Sequence, residues 1–117
     1  LHIIRKKINV KIVACPTIRE NNGLALSSRN TKLSNNQILK AGKIYSYLKK
    51  NKKLILQKIL KKSKSEIIRK IIDLGAQKVD YLECLNIEKL ELCKNSKTNF
   101  KIFIAYYIGN VRLIDNL

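Results

Sequence analysis

At 117 residues and 45% hydrophobic, the chain can bury a core of ordinary density, as one modest domain or one domain plus a piece of another. No apolar run approaches the roughly 20 residues that span a bilayer, and the start lacks a signal-peptide pattern, so a soluble, cytoplasmic chain with no membrane partner is expected. The formal charge of +17 points towards nucleic acid, yet 20 of the 25 cations are Lys, the seven aromatics form no stacking pattern, and the 18 Ile and 12 Asn match AT-rich codon drift. Most of the charge is therefore read as solvated faces with weak nonspecific affinity for polyanions and no specific nucleic-acid partner; a small basic nucleic-acid-binding module is the alternative. Leu1 stands where a complete product would carry Met, so a piece of a longer chain is expected. Cys15, Cys84 and Cys93 lack C-x-x-C spacing; Cys15 and Cys84 are expected to be small buried hydrophobes, Cys93 an incidental thiol, and no metal site follows.

Leu1, Ile4 and Ile8 recur at helical spacing, and Val10 to Cys15 is a short β-branched run suited to a buried strand. Pro16 ends that strand, and Asn22-Gly23 supplies a turn that tolerates positive φ. Ser34 opens an S-x-x-Q capping box before a helix to about Lys49, with Ile38, Leu39, Ala41, Ile44, Tyr45 and Leu48 on one face. Lys52 to Lys62 is a second amphipathic helix, and Ser65 caps a third whose Ile67, Ile68, Ile71 and Ile72 face a core and which stops at Gly75. The period then changes. Val79 to Leu85 is strand-like, Ile87 to Glu91 a short helical turn, and residues 101 to 116 a β-hairpin about Gly109-Asn110, giving a three-stranded sheet backed by helices.

The run PTIRENNGLALSSRN, Pro16 to Asn30, places two Ser hydroxyls and one Arg in a Gly-containing loop just before a helix. Short neutral donors beside a fixed cation suit a phosphate chain. The plain alternative is a surface loop in which Ser27 and Ser28 satisfy backbone turns and Arg29 is solvated.

The longer run PTIRENNGLALSSRNTKLS, Pro16 to Ser34, closely resembles the P-T-V-R-E-x-D-G-L-A-M/L-S-S-R-N-x-Y-L-S pattern of the pantothenate synthetase (pantoate-beta-alanine ligase) family, departing at Ile18, Asn22 and Lys32. VDYLECLN followed by EKLEL resembles that family's D-Y-x-E-x-x-D-x-x-T-L, and IFIAYYIGNVRLIDN resembles its ending V-L-V-A-A-x-x-G-x-x-R-L-I-D-N. Three motifs in the right order cover the chain.

The resemblance implies an α+β C-terminal lid domain of helices packed on a small antiparallel sheet, residues 32–117. Residues 1–31 would be the last helix, strand and loop of an α/β, adenylyltransferase-like nucleotide-binding domain. It further implies an ATP- and Mg²⁺-dependent ligase: pantoate attacks the α-phosphate of ATP to give pantoyl adenylate and pyrophosphate, and beta-alanine then displaces AMP. Carried over position by position, Leu26, Ser27, Ser28 and Arg29 contact ATP and Ile18 holds adenine through its backbone. The family's G-E-K-D-x-Q-Q segment and His-rich turn fall before Leu1, so no catalytic residue is assigned, His2 included, and the chain alone is expected to be inactive. A family homodimer is implied, mostly through the absent domain. Tyr106, Tyr107, Arg112 and Asp115 are notable either as sheet packing and surface pairing or as substrate contacts, and stay outside the site set.

Overall fold

The structure is a computed structural model that describes residues 16–89, 91–96 and 99–117; the helix and strand expected within 1–15, with His2 and Cys15, lie outside those residues. A 3₁₀ helix, Ser28–Lys32, leads into three α-helices: α1 (Asn35–Lys50), α2 (Lys52–Leu60) and α3 (Lys64–Asp73). Three strands follow, β1 (Lys78–Asn86), β2 (Phe100–Ile108) and β3 (Val111–Asn116). None of the helices among the described residues is long and apolar enough to cross a membrane.

The expected capping box starts α1: Gln37 N donates to Ser34 Oγ at 3.2 Å, and Ser34 N donates to Gln37 Oε1 at 2.9 Å. Ala41, Ile44 and Leu48 are buried on one face, joined by Ile55 and Leu56 of α2 and Ile67 and Ile71 of α3, at the three- and four-residue spacings that form an apolar stripe. Leu39, Leu54 and Ile72 sit outside the stripe and are exposed.

Two boundaries differ from expectation, for one local reason. α2 ends at Leu60 rather than Lys62, and α3 starts at Lys64 behind Ser63, with Ser65 inside its first turn and no side-chain cap bond. Ser63 N donates to Lys58 O at 2.7 Å and Lys62 N to Ile59 O at 3.1 Å, while Lys62 adopts φ 59°. This paired closure of the last carbonyls reverses the chain at Lys62, so the next helix begins at once. The same pair of bonds closes α3, from Gly75 N to Ile72 O and from Ala76 N to Ile71 O.

The sheet is antiparallel in the order β1-β2-β3. Alternation puts Ile102, Ile104, Tyr106 and Ile108 of central β2 inside, with Leu82 and Cys84 of β1 and Leu113 of β3, and the helices cover this face. Burial pushes the Cys84 thiol up to about 12, in keeping with an inert core cysteine. The β2–β3 connection turns at Gly109-Asn110 with Ile108 opposite Val111, as expected. The short turn expected from Ile87 stands at residues 87–89, braced by Asn86 Oδ1, which accepts from Glu88 N and Lys89 N at 2.9 and 3.2 Å, and Leu92 then returns to bridge Leu85. In β1 the register steps from Val79 opposite Tyr106 to Tyr81 opposite Ala105, leaving Asp80 as the extra residue of a bulge.

Lys62 is the one described non-glycine residue at positive φ. Lys62→Gly is expected to stabilise the chain by about 1 kcal/mol in denaturant unfolding, because left-handed backbone strains a residue that carries Cβ.

Candidate nucleotide site

Residues 18–26 form a miniature hairpin. Leu26 N donates to Ile18 O and Glu20 N to Leu24 O, both at 2.8 Å, with Arg19 and Ala25 bridged across. Its tip is fixed by Asn22, whose Oδ1 accepts from Leu24 N at 3.0 Å while its Nδ2 donates to Ile38 O at 3.0 Å. Two glycines permit this docking. Gly23 holds φ 94° with the Tyr45 ring so close that a Cβ would lie 2.1 Å from it; at Gly42 in α1 a Cβ would stand 2.9 Å from Asn22 Nδ2. Leu24 and Leu33 then enter the core on either side of residues 26–29.

Arg19 clasps the hairpin to the last strand. Its Nη1 donates to Asp115 Oδ2 at 2.7 Å and to Gly23 O at 3.0 Å, and its Nη2 donates to Asp115 Oδ1 at 3.0 Å and to Asn116 O at 3.1 Å. The guanidinium carbon stands 4.5 Å from the Tyr45 ring centre. The forked pair is largely shielded, its side chains 19% and 11% exposed, and the bonds to Asp115 hold the Arg19 pKa above its ordinary value.

Beyond the hairpin the expected open loop is partly helical. Ser27 is extended and caps the 3₁₀ helix, its Oγ accepting from Arg29 N at 3.1 Å. Thr31 Oγ1 donates to Ser28 O at 2.9 Å, and buried Asn30 donates through Nδ2 to Ala25 O at 3.0 Å. These short side-chain bonds tighten five residues into a 3₁₀ turn and leave Ser27, Ser28 and Arg29 exposed on its outer side.

Leu26, Ser27, Ser28 and Arg29 meet in one cleft of about 420 Å³, whose other wall is Tyr106 of β2 and Arg112 to Asp115 of β3. Ile18 is not in that wall; it lies one strand over, 70% exposed, joined to Leu26 through its carbonyl. Among the described residues that line the cleft, the charges are Arg29, Arg112 and Asp115; Asp115 is taken up by Arg19 and Arg112 by Asp80, which leaves Arg29. What remains favours an anion. No three His, Cys, Asp or Glu side chains cluster as metal ligands among the described residues.

The sequence reading did not give Arg19 a role and kept Arg112 and Asp115 out of the site. A signal was present: Arg19 falls inside the first motif and Arg112 and Asp115 inside the last, 96 residues apart for the clasp pair. Arg112 Nε donates to Asp80 Oδ2 at 2.8 Å, which, with Lys78, holds Asp80 below the usual carboxylate range. A lowered folded-state pKa contributes stability that is present above the unfolded value, near pH 4, and is lost as pH falls through the folded value. The stability gap between the parent chain and Asp80→Asn should therefore be constant above about pH 5 and close on further acidification, as read from urea unfolding at a series of pH values.

The family pattern described as pantoate-beta-alanine ligase matches residues 2–117. Pantothenate synthetase from Flavobacterium psychrophilum is 36% identical over 124 residues, covering all of this chain and 44% of that protein. The enzyme of the same name from Coprothermobacter proteolyticus is 43% identical over 115 residues, covering 94% of this chain and 40% of its own length. The crystal structure of pantoate-beta-alanine ligase from Francisella tularensis, complexed with beta-gamma ATP and beta-alanine, superposes with a TM-score of 0.61 at 38% identity, over 98% of this chain and 36% of that one. Pantothenate synthetase from Thermus thermophilus gives a TM-score of 0.68 at 29% identity, over 98% of this chain and 42% of that one. The chain thus spans well under half the length of these relatives, and by the match from residue 2 to residue 117 it belongs to the pantoate-beta-alanine ligase family.

Proposed function

We propose that the chain supplies the ATP-phosphate loop and the C-terminal lid of a ligase that joins pantoate to beta-alanine, with the division between its two parts at residues 31 and 32. The observation that carries this reading is the meeting of Leu26, Ser27, Ser28 and Arg29 in one anion-favouring cleft, at the positions where the family motif matches. Ser27 and Ser28 donate hydroxyl hydrogen bonds, and Arg29 adds a forked, permanently charged donor. In the first half-reaction a pantoate carboxylate oxygen attacks the α-phosphorus of ATP and the bond to the bridging oxygen breaks, so negative charge grows on the departing pyrophosphate. Donors already aimed at that charge lower the barrier. Beta-alanine then attacks the acyl carbon through its amine and AMP leaves.

Ile18 and Leu26 take the adenine side, where their exposed apolar surface and the neighbouring backbone can meet a flat base. Mg²⁺, which stabilises phosphate charge when bound, would arrive on the nucleotide, since among the described residues no three His, Cys, Asp or Glu side chains cluster to cage it. On this reading the chain provides one side of the site and does not run the reaction by itself. The Ser27–Arg29 turn is exposed, the placement expected of a loop that closes over bound phosphates.

The test joins this chain to the part of the Coprothermobacter relative that precedes the matched segment and follows AMP release that depends on both pantoate and beta-alanine. The chimera is expected to turn over, with Ser28→Ala and Arg29→Ala each lowering kcat/KM by roughly 10²-fold. A folded chimera that ignores both substitutions would contradict the assignment.

A further inference from the structure

The segment after β1 folds back onto that strand. Cys93 N donates to Cys84 O at 3.0 Å and Asn86 N to Glu91 O at 2.8 Å, and these two bonds frame the antiparallel bridge of Leu85 with Leu92. That register sets Cys93 directly opposite Cys84. Opposed residues of an antiparallel pair project from the same face with Cα atoms about 5.5 Å apart, inside the window of roughly 4.4–6.8 Å that a disulfide spans. Both side chains accordingly line one cleft of about 750 Å³, shared with Ile59 and Leu60 of α2 and Ile68 of α3. None of its residues lines the candidate nucleotide cleft. Both sulfurs are thiols in this structure, and their exposure differs: Cys84 is 1% exposed, whereas Cys93 packs only partly buried against the core. Burial first, and the neighbouring Cys93 second, push the Cys84 thiol up. Lys62, Lys64 and Lys94 line the same cleft against one carboxylate, Glu83, which pairs with Lys64, so the cleft carries excess positive charge.

We propose that Cys84 and Cys93 are a redox pair, closing to a cross-strand disulfide when an anionic small-molecule disulfide such as oxidised glutathione enters this cleft. Cys93, the more accessible thiol, loses its proton and its sulfur attacks one sulfur of the incoming disulfide; that S–S bond breaks and one glutathione leaves as a thiolate. The mixed disulfide then lies opposite Cys84. The Cys84 sulfur gives its proton to solvent and attacks the Cys93 sulfur, and the second glutathione leaves as a thiolate. Two protein thiols are oxidised and one disulfide is reduced to two thiols, the departing thiolates taking up the two protons. A buried thiol of raised pKa is inert towards reagents in solution, but a partner fixed directly across the strand supplies the high effective concentration that offsets its small thiolate fraction. The new bond ties residues 91–93, held to β1 by the two backbone bonds above, covalently to the sheet.

The test incubates the full 117-residue chain with oxidised glutathione, quenches in acid and maps its tryptic peptides by mass spectrometry without reduction; cleavage after Lys89 separates the two cysteines, and Cys15, the third in the chain, is followed in the same map. The peptides holding Cys84 and Cys93 are expected to be joined, with the loss of two hydrogens and no glutathione retained on either. C84A is expected to keep one glutathione on Cys93, and folded C93A to leave Cys84 a thiol. In the oxidised chain the Cys93 and Asn86 amides should exchange with deuterium about tenfold more slowly than in the reduced chain, and dithiothreitol should reverse the change. The map of the unsubstituted chain decides the question even if C84A fails to fold. A stable glutathione on Cys93 beside an unreacted Cys84, a link between the two that forms only in denaturant, or glutathione on Cys84 in folded C93A overturns the proposal.

Discussion

The Arg19–Asp115 clasp is the constraint on which the site depends. It joins a hairpin at one end of the described chain to the last strand at the other, and does so with four hydrogen bonds and a ring contact from a single side chain. Such a pair is expensive to shield from water and worth little by itself, but once formed it is costly to break from one side, because the remaining charge stays uncompensated. Its main effect is therefore geometric. With Arg19 seated, Asn22 meets the backbone of α1, Gly23 lies under Tyr45, and Leu24 fills a place in the core.

The same contact sets the charge of the cleft. Without Arg19, Asp115 would present a carboxylate to any phosphate held by Ser27, Ser28 and Arg29; with it, the carboxylate is neutralised from behind. Asp80 pairs with Arg112 across the sheet, binding its guanidinium through Nε. Both ion pairs thus act through orientation more than through net energy, which is modest for exposed pairs such as Asp80 with Arg112. The helices contribute at one remove: α1 carries the glycine and tyrosine on which the hairpin rests, and the sheet carries the facing wall.

Local chemistry made much of the fold legible. The S-x-x-Q box, Ile67 and Ile71 of α3 and the Gly-Asn turn each act within a few residues and stand where they were expected, whereas Ile72, also expected to face a core, is exposed. The exceptions are also local but have no distinctive residue type. Lys62 takes a position usually held by Gly, and Ser63 rather than Ser65 stands before α3. In the candidate site, the grouping of Ser27, Ser28 and Arg29 in one loop was legible, whereas the clasp and the Asp80 bulge were not. A bidentate bond across 96 residues leaves no periodicity, and a bulge inside VDYLECL reads as ordinary alternation interrupted by one polar residue. The 3₁₀ turn depends on where the Asn30 and Thr31 side chains point, which the motif alone does not specify.

The most direct measurement is a double-mutant cycle on Arg19→Ala and Asp115→Ala, read both by global unfolding and by native-state hydrogen exchange of the amides from Arg19 to Asn30. The clasp predicts that each single variant costs roughly 3 kcal/mol and that the pair is coupled by more than about 1.5 kcal/mol, with exchange accelerated in the hairpin and 3₁₀ turn ahead of the sheet. Additive losses, or exchange in the hairpin unchanged when either residue is removed, would contradict it.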